Sequence, residues 1–123
     1  MAAAVSAASE LAWQWGVHDC CISAANIALA ITGTDPADPH RGYKTEEEAN
    51  EIIAGYGSLA EMVTALVGPE IHPSRAKRGD FVMASLANGD TIGVCLGPMC
   101  AFAGPIGWVF EPRSVATTAW RIE

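Results

Sequence analysis

Between Cys20 and Ile31 the chain reads CCISAANIALAI, a run in which only Ser23 and Asn26 are polar. A helix apolar on nearly every side has to be covered by other elements, so this segment predicts a central, buried helix. Its alanines let neighbouring elements approach closely. Asp19 stands where an N-cap belongs, and Thr32-Gly33 closes the run, with Gly33 at the usual left-handed stop. The rest of the fold must be assembled around residues 20–31.

Residues 6–14 predict a short first helix with Leu11, and Val5 or Trp15, turned inward, and Gly16 ending it. Two Asp-Pro steps at 35–36 and 38–39 predict a loop over 34–43. Thr45 followed by Glu48 makes a capping box for a helix to about Ala54, with Ala49, Ile52 and Ile53 inward and Gly55-Tyr56-Gly57 breaking it. Ser58 followed by Glu61 starts a further helix through Leu66, facing Leu59, Met62, Val63 and Leu66 to the core. Gly68-Pro69 ends it. The second half changes period. Strands are expected at Phe81–Ala84, Thr91–Leu96, Cys100–Phe102, Trp108–Phe110 and Ala119–Ile122. Turns fall at Arg78-Gly79-Asp80, Asn88-Gly89 or Gly89-Asp90, Gly97-Pro98 and Gly104-Pro105. Helices first and an antiparallel sheet afterwards define a single α+β domain over residues 1–123. Leu29, Ile27, Met62, Val82, Val94 and Trp120 occupy inward phases and are the expected core.

Composition excludes several classes of function. Fourteen acidic residues against seven basic ones give a formal charge of -7, which disfavours binding to nucleic acid. The basic cluster Arg75, Lys77 and Arg78 reads as a solvated loop. No apolar stretch is long enough for a membrane span, and Met-Ala-Ala-Ala-Val-Ser lacks the basic and apolar regions of a signal peptide. The four cysteines are expected as reduced thiols. His18, Cys20, Cys21, His40, His72, Cys95 and Cys100 make neither a CxxC nor an HExxH pattern, so no metal site is expected. Without a Walker loop or a GxGxxG motif, no cofactor is expected either.

The chemistry with most promise lies at Trp15-Gly16-Val17-His18-Asp19-Cys20-Cys21. A cysteine in the first turn of a helix meets free backbone N–H groups and the positive end of the dipole, and both favour thiolate. Cys20 is therefore the candidate nucleophile, while Cys21 points about 100° away and is expected in the core. The same pair also suits plain core packing, since free cysteine is among the most buried residue types. His18, two residues before Cys20, reads as a surface loop residue and is only a weak candidate base.

The order of Trp15-Gly16, Asp19-Cys20, Gly33, Arg41-Gly42-Tyr43, Thr45, Gly79-Asp80, Gly93-Val94-Cys95-Leu96-Gly97, Gly107 and Ala119-Trp120-Arg121-Ile122 resembles the papain-like cysteine peptidases of the NlpC and CHAP type. It is closer still to a set of small phage and prophage proteins in that superfamily. The resemblance implies a papain-like fold and maps the attacking cysteine onto Cys20. It makes Gly79-Asp80 a structural pair opening a strand and puts the general base at Thr91. Threonine cannot serve as that base, and Cys100-Ala101-Phe102-Ala103 offers nothing to orient one. Three explanations compete: lost chemistry, a base recruited from His18, His40 or His72, or a site completed by a partner. The resemblance implies a non-catalytic structural or interaction protein of a phage particle, at the tail or tail tip. It would contact other tail proteins, residing in the host cytoplasm during assembly and then in the virion. The alternative is a cysteine amidase or peptidase contacting cell-wall peptidoglycan.

Overall fold

The computed structural model describes residues 1–87 and 89–123. Four helices, α1 (Ala2–Ala7), α2 (Cys20–Thr32), α3 (Glu46–Tyr56) and α4 (Leu59–Val67), precede the sheet. The strands are β1 (Glu70–Ile71), β2 (Phe81–Leu86), β3 (Gly89–Cys95), β4 (Met99–Ala103), β5 (Trp108–Pro112) and β6 (Ala116–Trp120). They form one antiparallel sheet in the order β1-β6-β2-β3-β4-β5. The chain is thus α+β, with its helices packed against an antiparallel sheet. The expected turn at Asn88-Gly89 falls partly outside the described residues.

The central helix forms where the sequence places it. Asp19 Oδ1 accepts from the Ile22 amide at 2.8 Å, and Gly33 closes α2 at φ 78°. Ile22, Ala24, Ala25, Ile27 and Ala28 are buried. Its polar side chains all have partners: Ser23 meets His18, Asn26 accepts from Arg41 Nη2 at 2.8 Å, and Thr32 Oγ1 donates to the Ala28 carbonyl at 2.9 Å. Both predicted capping residues, Thr45 and Ser58, accept from the amides of Glu48 and Glu61. Gly55 does not break α3, which runs on to Tyr56 and ends at Gly57.

Paired residues on neighbouring antiparallel strands share a face, which divides the sheet into two sides. Phe81, Ile92, Val94 and Trp120 lie against Ala24, Ile27 and Ala28 of α2 and Val63 of α4. Val82, Ala84, Cys95, Cys100, Phe102 and Ala119 form a second, smaller core with Ala76 on the other side. Gly93 lies where a Cβ would sit 2.5 Å from the Ala101 carbonyl oxygen and 2.6 Å from the Phe102 ring, so the ring takes the space a side chain would fill. Ile27, Met62, Val82, Val94 and Trp120 are buried as expected, and Trp120 Nε1 donates to Thr64 Oγ1 at 3.0 Å.

Other expectations require correction. Leu29 is 39% exposed, because helical spacing groups it with exposed Asn26 and Ala30, away from the side of α2 that carries Ala24, Ile27 and Ala28. The first helix covers residues 2–7 rather than 6–14, and Leu11 is exposed. Residues after Ala8 instead pair with the β4–β5 turn. Trp13 N–H donates to the Pro105 carbonyl at 2.8 Å, Gly107 N–H to Leu11 at 2.7 Å, and Ala12 bridges Ile106. Trp108 Nε1 reaches the Val5 carbonyl and holds α1 onto the same region. Gly16 ends no helix. At φ 81° it forms a tight turn whose missing Cβ admits the Tyr43 backbone carbonyl. The last strand ends at Trp120, because Arg121 and Ile122 are taken up by Asp80.

Candidate active site

Cys20 is the first residue of α2, and its Sγ lies 3.7 Å from that of Cys21. Chain neighbours on a helix normally diverge, so the sulfurs meet through side-chain rotation in the first turn. The Cys21 thiol hydrogen bond holds Cys20 below the ordinary thiol range, helped by the Ile92 and Cys21 amides and opposed by burial and by Asp19. Cys21 is pushed well above that range by the same bond, by burial and by the neighbouring charge. Of the two, Cys20 is the thiol that gives up its proton first, with Cys21 as its donor. A depressed Cys20 agrees with a helix-start position. The largest cause, however, is the adjacent cysteine, to which sequence reasoning assigns packing alone.

Asp19 positions this turn. It is 1% exposed, and its Oδ2 accepts from Gly16 N–H at 2.8 Å and from the Tyr43 hydroxyl. Burial first, then Asp19, push Tyr43 far above the usual tyrosine range, so it stays a hydrogen-bond donor. Trp15-Gly16, Asp19 and Arg41-Gly42-Tyr43 thus form one structural unit. Gly16 fits against Tyr43, Asp19 ties both together, and Arg41 pairs with Asp35 at 2.6 Å while reaching Asn26 on α2. Trp15 packs edge-on against Trp13 at a centroid distance of 5.2 Å.

His18 is not on the surface; it is 1% exposed. Nε2 lies 2.7 Å from the Gly107 carbonyl, which can only accept, so Nε2 carries a proton. Nδ1 lies 2.9 Å from Ser23 Oγ, and the ring stacks edge-on against Trp108. Both nitrogens are used in fastening the β4–β5 turn to the start of α2. The surface expectation fails because nothing local to the loop reveals a partner 89 residues further on. Ser23, three residues beyond Cys20 and polar inside an apolar helix, is the available signal.

Thr91 lies opposite Ala84 on the sheet face away from the Ile92–Val94 side, and its hydroxyl donates to the Gly89 carbonyl at 3.1 Å. Its neighbour Ile92 supplies the amide that acts on Cys20, so this stretch of β3 does run beside the nucleophile. The other histidines are engaged elsewhere. His40 Nε2 is 2.6 Å from the Tyr56 hydroxyl, and exposed His72 caps a short turn through Ser74. Gly79-Asp80 is structural. Asp80, 1% exposed, binds Arg121 at 2.9 Å and the amides of Lys77 and Ile122, locking the start of β2 to the end of β6.

Behind Cys21 opens an apolar cleft of about 70 Å³ between α2, α3, α4 and the 36–43 loop. His40, Tyr43, Ile53 and Phe81 are among its walls. Among the described residues, no group of three or more His, Cys, Asp or Glu could hold a metal ion, and no helix is long and apolar enough to cross a membrane.

These features define an α+β domain with a cysteine pair at a helix start set against a central strand. Residues 1–122 match the family described as a domain of unknown function, DUF6950, and the chain belongs to that family. No functionally curated protein matches it.

Proposed function

We propose that this protein is a non-catalytic structural or interaction component of a phage particle, at the tail or tail tip, built on a papain-like fold of the NlpC and CHAP type that has lost its peptidase chemistry. The observation that carries the loss of chemistry is the commitment of His18. Both ring nitrogens hold structural hydrogen bonds, so the imidazole nearest Cys20 in sequence has no lone pair free to take its proton. Thr91, the position where the resemblance expects a base, supplies only a hydroxyl tied to Gly89. The phage setting rests on the resemblance. Exposed Phe110 and Val109 on edge strand β5, with Ile106 in the preceding turn, suit contacts with another protein.

Assembling particles without this protein tests the reading. Tailless or non-infectious particles are expected, and normal infectious particles would overturn it. A second reading, a cysteine amidase acting on cell-wall peptides, is favoured by the depressed Cys20 thiol. Incubating the natural chain with peptidoglycan peptides separates the two. No turnover is expected, and hydrolysis abolished by Cys20→Ala would establish the second reading. Thr91→His should not restore hydrolysis, because that position faces the side of β3 away from α2 and Cys20.

A further inference from the structure

We propose that Cys95 and Cys100 are an oxidation site, bridged into a cross-strand disulfide by exchange with a low-molecular-weight disulfide of the glutathione type. The two face each other directly in the β3–β4 ladder and are fully buried in the second core. Their backbone register suits a bridge. Leu96 N–H donates to the Met99 carbonyl at 2.8 Å, which makes Leu96 and Met99 the hydrogen-bonded pair beside the two-residue loop Gly97-Pro98. Cys95 directs its own backbone groups to the other side. Its N–H donates to the Asp80 carbonyl and its carbonyl accepts from Gly79, each at 2.8 Å. Cys95 and Cys100 therefore form a non-hydrogen-bonded pair, the kind whose side chains approach most closely, with Cα atoms about 4.5 Å apart. That separation falls within the span of roughly 4.4–6.8 Å that disulfides bridge.

Cys20 and Cys21 are not set up in this way. As chain neighbours their Cα atoms are held about 3.8 Å apart, below that span, and bridging them would unwind the first turn of α2. The buried pair is protected in the reduced state. Burial and the adjacent Cys95 raise the Cys100 thiol to about 11, so exchange proceeds when the hairpin tip at Gly97-Pro98 opens. The first cysteine, as thiolate, attacks one sulfur of oxidised glutathione, breaking its S–S bond and releasing one glutathione. The second attacks the mixed disulfide and releases another. The protein loses two thiol protons and two electrons, and one glutathione disulfide becomes two glutathione thiols.

The test is equilibration of the full chain in graded mixtures of reduced and oxidised glutathione, natively and in guanidinium, with acid quench, alkylation and peptide mapping. A peptide pair linked through Cys95 and Cys100, lighter by two hydrogen atoms, is expected. It should reach half-oxidation natively at a glutathione disulfide fraction at least about tenfold lower than in the denatured chain, because the folded hairpin raises the effective concentration of one thiol at the other. Cys95→Ser should leave Cys100 only as thiol or mixed disulfide. The natural chain carries the decisive measurement even if that variant folds poorly. Equal native and denatured midpoints, or full equilibration with both residues still alkylated, would overturn the proposal.

Discussion

Replacing Asp19 with asparagine separates a helix cap from a buried anchor. Asparagine caps helices about as well as aspartate, so a residue acting only as the cap of α2 would lose almost nothing. The structure gives Asp19 three donors: the Ile22 amide on one oxygen, and the Gly16 amide and the Tyr43 hydroxyl on the other. In Asp19→Asn the amide oxygen keeps Ile22, and the new NH₂ group faces the remaining two. The Tyr43 hydroxyl can rotate to accept; the Gly16 N–H cannot. One hydrogen bond to a charged acceptor, about 1.5–3 kcal/mol, is replaced by a donor facing a donor, so the loss should be about 2–4 kcal/mol. Asp19→Ala, which abandons all three donors, should cost more. Urea unfolding monitored by tryptophan fluorescence measures both. With a slope of about 1–3 kcal/mol/M, the Asp19→Asn midpoint falls by roughly 0.7–4 M. Adding Tyr43→Phe should cost less in the Asp19→Asn background than in the natural chain, the difference being the coupling between the two side chains. A loss under about 0.5 kcal/mol for Asp19→Asn would refute the anchor and leave only the cap.

On α2, Ile27→Ala should cost about 2–5 kcal/mol while Leu29→Ala stays below about 1 kcal/mol, read by the same denaturation. Alkylation of Cys20 measured against pH should show a midpoint below the free-thiol value of about 8.5, and Cys21→Ala should move it upward by removing the principal thiolate donor. Tyr43 keeps its proton in the folded state to a pH well above its unfolded value. Its contribution is therefore complete below about pH 10 and falls as pH rises beyond that. Tyr43 should ionise only on unfolding when monitored by ultraviolet absorbance, and Tyr43→Phe should flatten the alkaline loss of stability.

The features legible in the amino-acid order are local ones. The composition of residues 20–31, the caps at Asp19, Thr45 and Ser58, and the stop at Gly33 specify helices through contacts only a few residues apart. The antiparallel strands at Phe81, Thr91, Cys100 and Trp108 are likewise announced by their turns and apolar runs. Features that need a distant partner emerge only on folding. The segment after Ala8 has helical composition but is drawn out of helix by hydrogen bonds to residues 105–107. The strand expected through Ile122 stops at Trp120 because Asp80 captures Arg121 and the Ile122 amide. The candidate site divides in the same way. Cys20 at a helix start is legible from its neighbours, because the dipole and free amides belong to its own helix. The fate of His18 is not, because an imidazole is a structural fastener or a base according to what meets its two nitrogens. Here those groups are Ser23 on the next helix and Gly107 from across the fold, and only folding brings them together.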